Sequence, residues 1–290
     1  MIKKSNNFLI LGSGSSITEK YLSLIGSLDN DFYGVSTSTN VSAESLLKKS
    51  ICYSSIDEYS SIRFSNVLII ASRNPLEGGT LQDFTKVNDL IERTLESIKF
   101  PNHKKPKITL LSSFSVYGKQ IDLISDDTPT EPSDFYGESK ILLEQKIQKL
   151  SENFNADALV CRLPVFLYPG VSAKSGNFMA KLSLAIKQKS DFTMMNPKDG
   201  LGAIFDVENL AKLHDSDISG FKILNCGANA DINFEQIGSL ALKLGLNNVN
   251  WSENNRPSVK VCLNSLTHLI GGTPSAKDMV YKWLPSEVIL

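Results

Sequence analysis

The 290-residue sequence has no apolar run near the roughly 18 residues that span a bilayer. Its longest runs, such as Val67–Ala71, have the length of a strand. No membrane partner is therefore expected. The first residues, Met1–Asn7, are polar and lead straight into an apolar run, so no signal peptide is read there and a cytoplasmic location is expected. The four cysteines, Cys52, Cys161, Cys226 and Cys262, lie far apart without a CxxC spacing. They read as reduced, small core residues rather than a disulfide framework or a zinc site. His103, His214 and His268 form no spaced ligand pair, so no metal is expected. Neither charge is in excess: 30 Lys and Arg face 31 Asp and Glu, a net charge of −1. There is no basic footprint for nucleic acid and no acidic tail.

What is present is an ordinary globular balance, 41% hydrophobic and 21% charged, with material for a real core. Strand and helix signals alternate through the first half. Phe8–Leu11 is a short apolar run ending at Gly12. A helical spacing follows, with Ile17, Tyr21, Leu22, Leu24 and Ile25 on one side. Phe32–Val35, Val67–Ala71, Ile108–Leu111 and Ala158–Cys161 read as further strands, and Ile51–Tyr53 as a weaker one. Leu81–Ser97 and Phe135–Leu150 read as long helices. Strands separated by helices of this length imply right-handed βαβ units and a parallel sheet. From Pro164 the rhythm breaks. A Gly, Pro and Ser cluster precedes a helix at Asn177–Lys189, short strands near Phe192 and at Ala203–Phe205, a strand at Lys222–Leu224 and a helix at Asn233–Leu244. The expectation is an α/β protein. Residues 1–165 form a Rossmann-type doubly wound parallel sheet, to which 203–228 return, and 166–290 form a smaller C-terminal substrate-binding lobe.

Gly12, Ser13, Gly14, Ser15, Ser16 and Ile17 stand between the first strand and the first helix. Glycines let a backbone turn approach phosphates, and a helix N-terminus offers free N–H groups and a positive dipole end. The same residues also suit an ordinary βα turn with a serine cap. The second strand ends in Ser36 and Thr37 without an acid. A carboxylate there would bond the ribose hydroxyls and repel a 2′-phosphate, so its absence favours NADP(H) over NAD(H).

Tyr136 and Lys140 are four apart in a helix and share a face. A phenol with an ordinary pKa near 10 exchanges protons poorly at neutral pH, and a nearby ammonium favours its phenolate. Ser113 ends a strand, where open α/β sheets bind ligands, and its hydroxyl can hold the reacting oxygen. Taken alone, a YxxxK pair also fits a surface tyrosine beside a solvated lysine.

The surroundings tip that balance. Ser112-Ser113-Phe-Ser115-Val-Tyr117-Gly118, a Pro-containing loop, and Tyr136-Gly-Glu-Ser-Lys140 together resemble the extended short-chain dehydrogenase/reductase superfamily, in its NAD-dependent epimerase/dehydratase group that modifies nucleotide sugars. The resemblance continues through Arg162–Gly170, Ser175–Ala180, Ile204–Ala211, Arg256-Pro257 and Leu269–Pro274. It implies that Tyr136 is the acid/base, Lys140 bonds the nicotinamide ribose and tunes the phenol, and Ser113 orients the sugar oxygen. It also implies that Ala71 and Ser72 line the cofactor, that Pro164 and Val165 lie near the nicotinamide, and that Asn88 is structural. Ser115, Asn177 and Arg256 would meet a nucleotide-sugar substrate. Asn177 equally suits a helix cap, and Arg256 a solvated loop. Helices 81–97 and 135–150 resemble those of a homodimer interface, although the same stripes could simply pack on the sheet.

The sequence also departs from the family. GxxGxxG becomes Gly12, Ser15 and Thr18, the RxxN asparagine becomes Val165, and no acid stands at Tyr53–Ser55. A dinucleotide-binding sensor or scaffold without turnover is therefore an alternative. Phe114 and Ser115 replace the acid pair that a 4,6-dehydratase needs and the base of a 3,5-epimerase-reductase. Reduction of a 4-keto-6-deoxy sugar nucleotide and C4 epimerisation remain, and the lean toward NADP(H) favours reduction.

Overall fold

Short apolar runs become the strands of a sheet covered on both faces. The computed structural model describes residues 6–26, 30–37, 44–73, 75–118, 122–173, 176–252 and 259–289. Arg256, Ser175 and most of the Ser36–Ser45 loop lie outside them. The chain divides into two interleaved units.

The first unit draws on Met1–Lys119, Pro129–Arg162 and His214–Leu224. It holds β1 (Asn6–Leu11), α1 (Ser16–Ile25), β2 (Asn30–Ser36), β3 (Lys49–Cys52), β4 (Asn66–Ile69), α2 (Leu81–Ser97), β5 (Lys107–Ser113), α3 (Phe135–Asn153), β7 (Asp157–Leu163) and β11 (Phe221–Asn225). The sheet order is β11-β7-β5-β4-β1-β2-β3, and β1 pairs in parallel with both β2 and β4. The β2–β3 and β4–β5 pairings are parallel too. The strand order thus reverses between β1 and β4, which opens a crevice at their carboxyl ends.

The core of this unit lies between the sheet and its helices. Leu9, Leu11, Val67, Ile69, Ile108 and Leu110 meet Ile91 and Leu95 of α2 and Leu143 and Ile147 of α3. Each fully buried side chain of this kind contributes about 1.5–3 kcal/mol. Local chemistry fixes the helix starts. Thr80 and Asp83 form a capping box on α2, and Asp134 accepts the Gly137 amide at 2.7 Å to cap α3. In α1 the buried side carries Thr18, Tyr21 and Leu22, whereas Leu24 is exposed. The helix is set one residue round from the apolar stripe that its spacing suggests.

The second unit draws on Gln120–Thr128, Leu163–Leu213 and Asn225–Leu290. Of 203–228, residues 214–224 fall in the first unit and the rest here, because β10 (Ile204–Asp206) pairs with β8 (Val165–Leu167). Two further parallel pairs join β6 (Leu123–Ile124) to β13 (Lys260–Val261) and β9 (Asp191–Met194) to β12 (Asn248–Trp251). Around them stand α4 (Phe178–Lys187), α5 (Val207–Lys212), α6 (Phe234–Lys243), α7 (Asn264–Ile270) and α8 (Ala276–Ile289). Met179, Leu182, Phe234, Ile237, Val280 and Leu284 centre a separate core. Among the described residues no helix is long and apolar enough to cross a membrane.

Candidate active site

Lys140 is the anchor of the candidate catalytic set. It is buried, and its ammonium donates to the Leu111 carbonyl at 3.1 Å, two residues before Ser113. The same nitrogen lies 5.6 Å from the centre of the Tyr136 ring. Tyr136 is half-buried, and Phe84 of α2 packs edge-on against it at 6.0 Å. Ser113 ends β5 and caps the short 3-10 turn Phe114–Tyr117. Its hydroxyl accepts the Ser115 amide and donates to the Ser115 hydroxyl, both at 3.1 Å. The three residues thus gather where β5 meets the first turns of α3.

The approach of α3 to that turn is close. A Cβ at Gly137 would stand 2.3 Å from the Ser115 carbonyl oxygen. Gly118, at φ +79°, would meet the Glu131 carbonyl at 2.4 Å. Glycine suits both positions because another backbone occupies the space a side chain would fill. Asn88 donates from α2 to the Ser139 carbonyl at 2.8 Å, a structural link between the two helices.

Beneath this surface lies a buried polar cluster in which Ser112, Tyr117 and Arg162 belong to the motifs read from the sequence and Glu144 does not. Ser112 donates to Glu144 at 2.5 Å. Arg162 forks onto the Glu144 carboxylate, with its closest contact at 2.7 Å, and donates to the Tyr117 hydroxyl at 2.8 Å. Burial pulls the Arg162 pKa down, but the hydrogen bonds and charge of Glu144 outweigh it and hold it above the ordinary value. The one available signal is spacing: Glu144 follows Lys140 by four residues, as Lys140 follows Tyr136.

The glycine turn sits at the mouth of the crevice. Gly12 has φ +97°, and a Cβ on it would stand 2.6 Å from the Ala71 amide nitrogen. The Gly12 and Ser13 amides donate to the Val35 carbonyl at 2.8 and 3.1 Å, and the Ala71 amide donates to the Leu11 carbonyl at 2.9 Å. Gly12 and Ala71, on adjacent strands, therefore close the turn over the switch point. Ser13 and Thr18 bury hydroxyls that have no hydrogen-bond partner among the described residues. Ser15 caps α1 through the Ile17 amide at 3.4 Å, while Gly14 and Ser16 are exposed. Ser36 is buried at the end of β2, and Thr37 and Ser72 are exposed. The bare Gly12 turn fits the close approach of a dinucleotide, although two family glycines are replaced.

Other expected residues lie in the second unit. Pro164 and Val165 lead into β8 and are half-buried. Asn177 caps α4 by accepting the Met179 and Ala180 amides, and its amide group donates to the Phe166 carbonyl at 2.8 Å. Its side chain is committed to the fold, beside β8. Among the described residues, no group of three His, Cys, Asp or Glu could hold a metal.

A turn at the switch point and a Ser–Tyr–Lys set at the carboxyl edge are the arrangement that the sequence resemblance implies. Residues 73–216 match the model of the NAD dependent epimerase/dehydratase family. The chain therefore carries a stretch similar to the NAD-dependent epimerase/dehydratase family. No match is found among curated proteins.

Solved structures agree on the fold over nearly the whole chain. The UDP-glucuronic acid 4-epimerase of Bacillus cereus, in complex with NAD, aligns with a TM-score of 0.76 at 15% identity, covering 98% of this chain and 97% of that one. The UDP-N-acetylglucosamine 4-epimerase of Methanobrevibacter ruminantium M1, in complex with UDP-N-acetylmuramic acid, aligns at 0.74 and 17%, covering 99% and 98%. The UDP-glucose 4-epimerase of Thermotoga maritima, with UDP-glucose, aligns at 0.73 and 12%, covering 98% and 97%.

Proposed function

We propose that this chain is an NAD(P)-dependent oxidoreductase acting at carbon 4 of a nucleotide-linked sugar, and that it reduces a 4-keto-6-deoxy sugar nucleotide. The observation that carries the reading is the set of Tyr136 and Lys140 on one face of α3 beside Ser113. Tyr136 gives a proton to the C4 oxygen, Ser113 holds that oxygen by a hydrogen bond, and the Lys140 ammonium stabilises the phenolate that results. A nicotinamide, when bound, supplies the hydride. Gly12–Ile17, Ala71, Ser72 and Lys140 are the residues of the first unit that would hold it. Ser36 and Thr37, without a carboxylate, favour the 2′-phosphate form. Ser115 meets the substrate in this reading, while the Asn177 side chain is taken up by its helix cap. A cytoplasmic homodimer through α2 and α3 belongs to the same proposal.

A second reading is C4 epimerisation with retained NAD. It is supported by the UDP-sugar 4-epimerases among the similar structures, one of them bound to NAD. One assay separates the two. NADPH or NADH is mixed with a panel of nucleotide-linked 4-keto-6-deoxy sugars, and absorbance loss is followed. Reduction predicts consumption of one cofactor, slowed about 100–10,000-fold in Tyr136→Phe. Epimerised product without net cofactor consumption would replace the first reading with the second. Neither consumption nor epimerisation would refute both.

A further inference from the structure

We propose that Glu144 and Arg162 are positioning residues that set where Ser113 stands relative to Tyr136. Tyr136, Lys140 and Glu144 follow one another at intervals of four along α3, so the carboxylate continues the face that carries the acid and its lysine. Arg162 reaches that carboxylate from β7 in a forked contact. From there the pair grips both sides of the serine. Ser112, immediately before Ser113, donates to Glu144. Tyr117, at the end of the turn that Ser113 begins, accepts from Arg162, whose guanidinium lies 5.0 Å from the centre of its ring. One ion pair thus ties the strand end, the turn and the helix that together make up the site.

The residues Ser112, Tyr117, Glu144 and Arg162 are all buried. They lie under the site rather than in it, which makes them positioning residues and not catalytic ones. Energetics point the same way. A buried Arg–Glu pair gains little over a well-packed apolar pair of similar volume, because desolvation offsets its Coulomb energy. Stability alone therefore gives weak reason for an ion pair here. Its forked, directional bonds do something an apolar pair does not: they fix the register of three elements against one another.

The proposal rests on the oxidoreductase reading for its kinetic test, and a structural measurement keeps it independent. The variants are Arg162→Lys, Glu144→Gln and the apolar double Glu144→Leu/Arg162→Met. The double variant should remain folded and bind cofactor and substrate within about threefold of wild type. Its kcat should fall about 100-fold, the loss a displacement of roughly 1 Å brings. KM should stay near wild type, and the isotope effect with deuterated nicotinamide should rise as hydride transfer becomes limiting. A folded double variant with wild-type kcat would overturn the proposal, as would activity that falls only in step with the folded fraction. Crystal structures of wild type and the double variant test the same claim without turnover. The Ser113–Tyr136 separation should differ by about 1 Å, and an unchanged separation overturns the proposal even if wild type acts on no nucleotide sugar. Inactive wild type with a changed separation would instead count against the oxidoreductase reading alone.

Discussion

Gly137→Ala is the sharpest single test of how α3 is placed. The added Cβ would stand 2.3 Å from the Ser115 oxygen and 2.9 Å from its carbonyl carbon, with the Pro132 Cβ at 3.0 Å. Even a favourable C···O contact needs about 3.3 Å. The Ser115 turn and the first turn of α3 must therefore part by roughly 1 Å. The Asp134 cap and Pro132 limit the ways they can do so. Alanine is the better helix former by about 1 kcal/mol, while overpacking costs about 1–3 kcal/mol. The net loss is about 0–2 kcal/mol, small enough for the fold to survive. The chemistry does not share that tolerance, because a misplacement of about 1 Å can lower a rate by about 100-fold. Urea unfolding should show a small decrease in stability, and the turnover assay should show a large fall in kcat with little change in KM. A variant that is more stable than wild type and fully active would refute the reasoning, since that is how alanine behaves in an open helix.

Two further predictions concern other parts of the first unit. Thr18 buries a hydroxyl without a partner among the described residues, so the isosteric Thr18→Val should raise stability by about 1 kcal/mol in urea unfolding; a loss of stability would mean that the hydroxyl is hydrogen-bonded. His214 packs against Phe8 and Tyr21, and burial, with Lys107 and Lys104 adding to it and Asp215 opposing, holds its pKa below the ordinary value. A depressed folded pKa gives stability that is fully present above about pH 6.5 and is lost as pH falls through the folded value. The wild-type Tm should therefore drop more than that of His214→Asn between about pH 7.5 and about pH 5.5, and equal drops would refute the assignment.

The parallel sheet was legible because its strands are buried on both faces and so read as unbroken apolar runs. Val67–Ile69 and Leu9–Leu11 show this directly. The second unit was harder to read. Its strands are two to four residues long and pair only in twos, too short for either periodicity to emerge. In α8 the buried residues Ala276, Met279, Val280, Trp283, Leu284 and Glu287 do follow helical spacing. Pro285 sits among them and reads as a breaker, and a buried glutamate runs against the apolar stripe. Glu287 is buried because it accepts the Gly170 amide at 3.1 Å, a contact 117 residues away that composition cannot reveal.

The same distinction separates the parts of the site. Tyr136 and Lys140 were legible because their relation is local, one helical turn. Glu144 was not, because it is defined by Arg162, a partner that folding brings near; Gly118 and Gly137 stood in the motifs, but the Glu131 and Ser115 carbonyls that press on them did not. The cofactor turn shows the converse, a pattern that asks for more than the backbone needs. Of the three glycine positions in the family pattern, one keeps its glycine here. Only Gly12 combines a positive φ with a neighbouring backbone at 2.6 Å, so only there is a side chain barred on both counts. Ser15 has an ordinary extended φ of −79°, and its hydroxyl caps the helix that a glycine would leave open. Thr18 lies in regular helix with its side chain fully buried. The turn's geometry therefore survives the two replacements, and what they change is the chemistry offered around it: a hydroxyl cap at Ser15 and a buried hydroxyl at Thr18 where the family presents bare backbone.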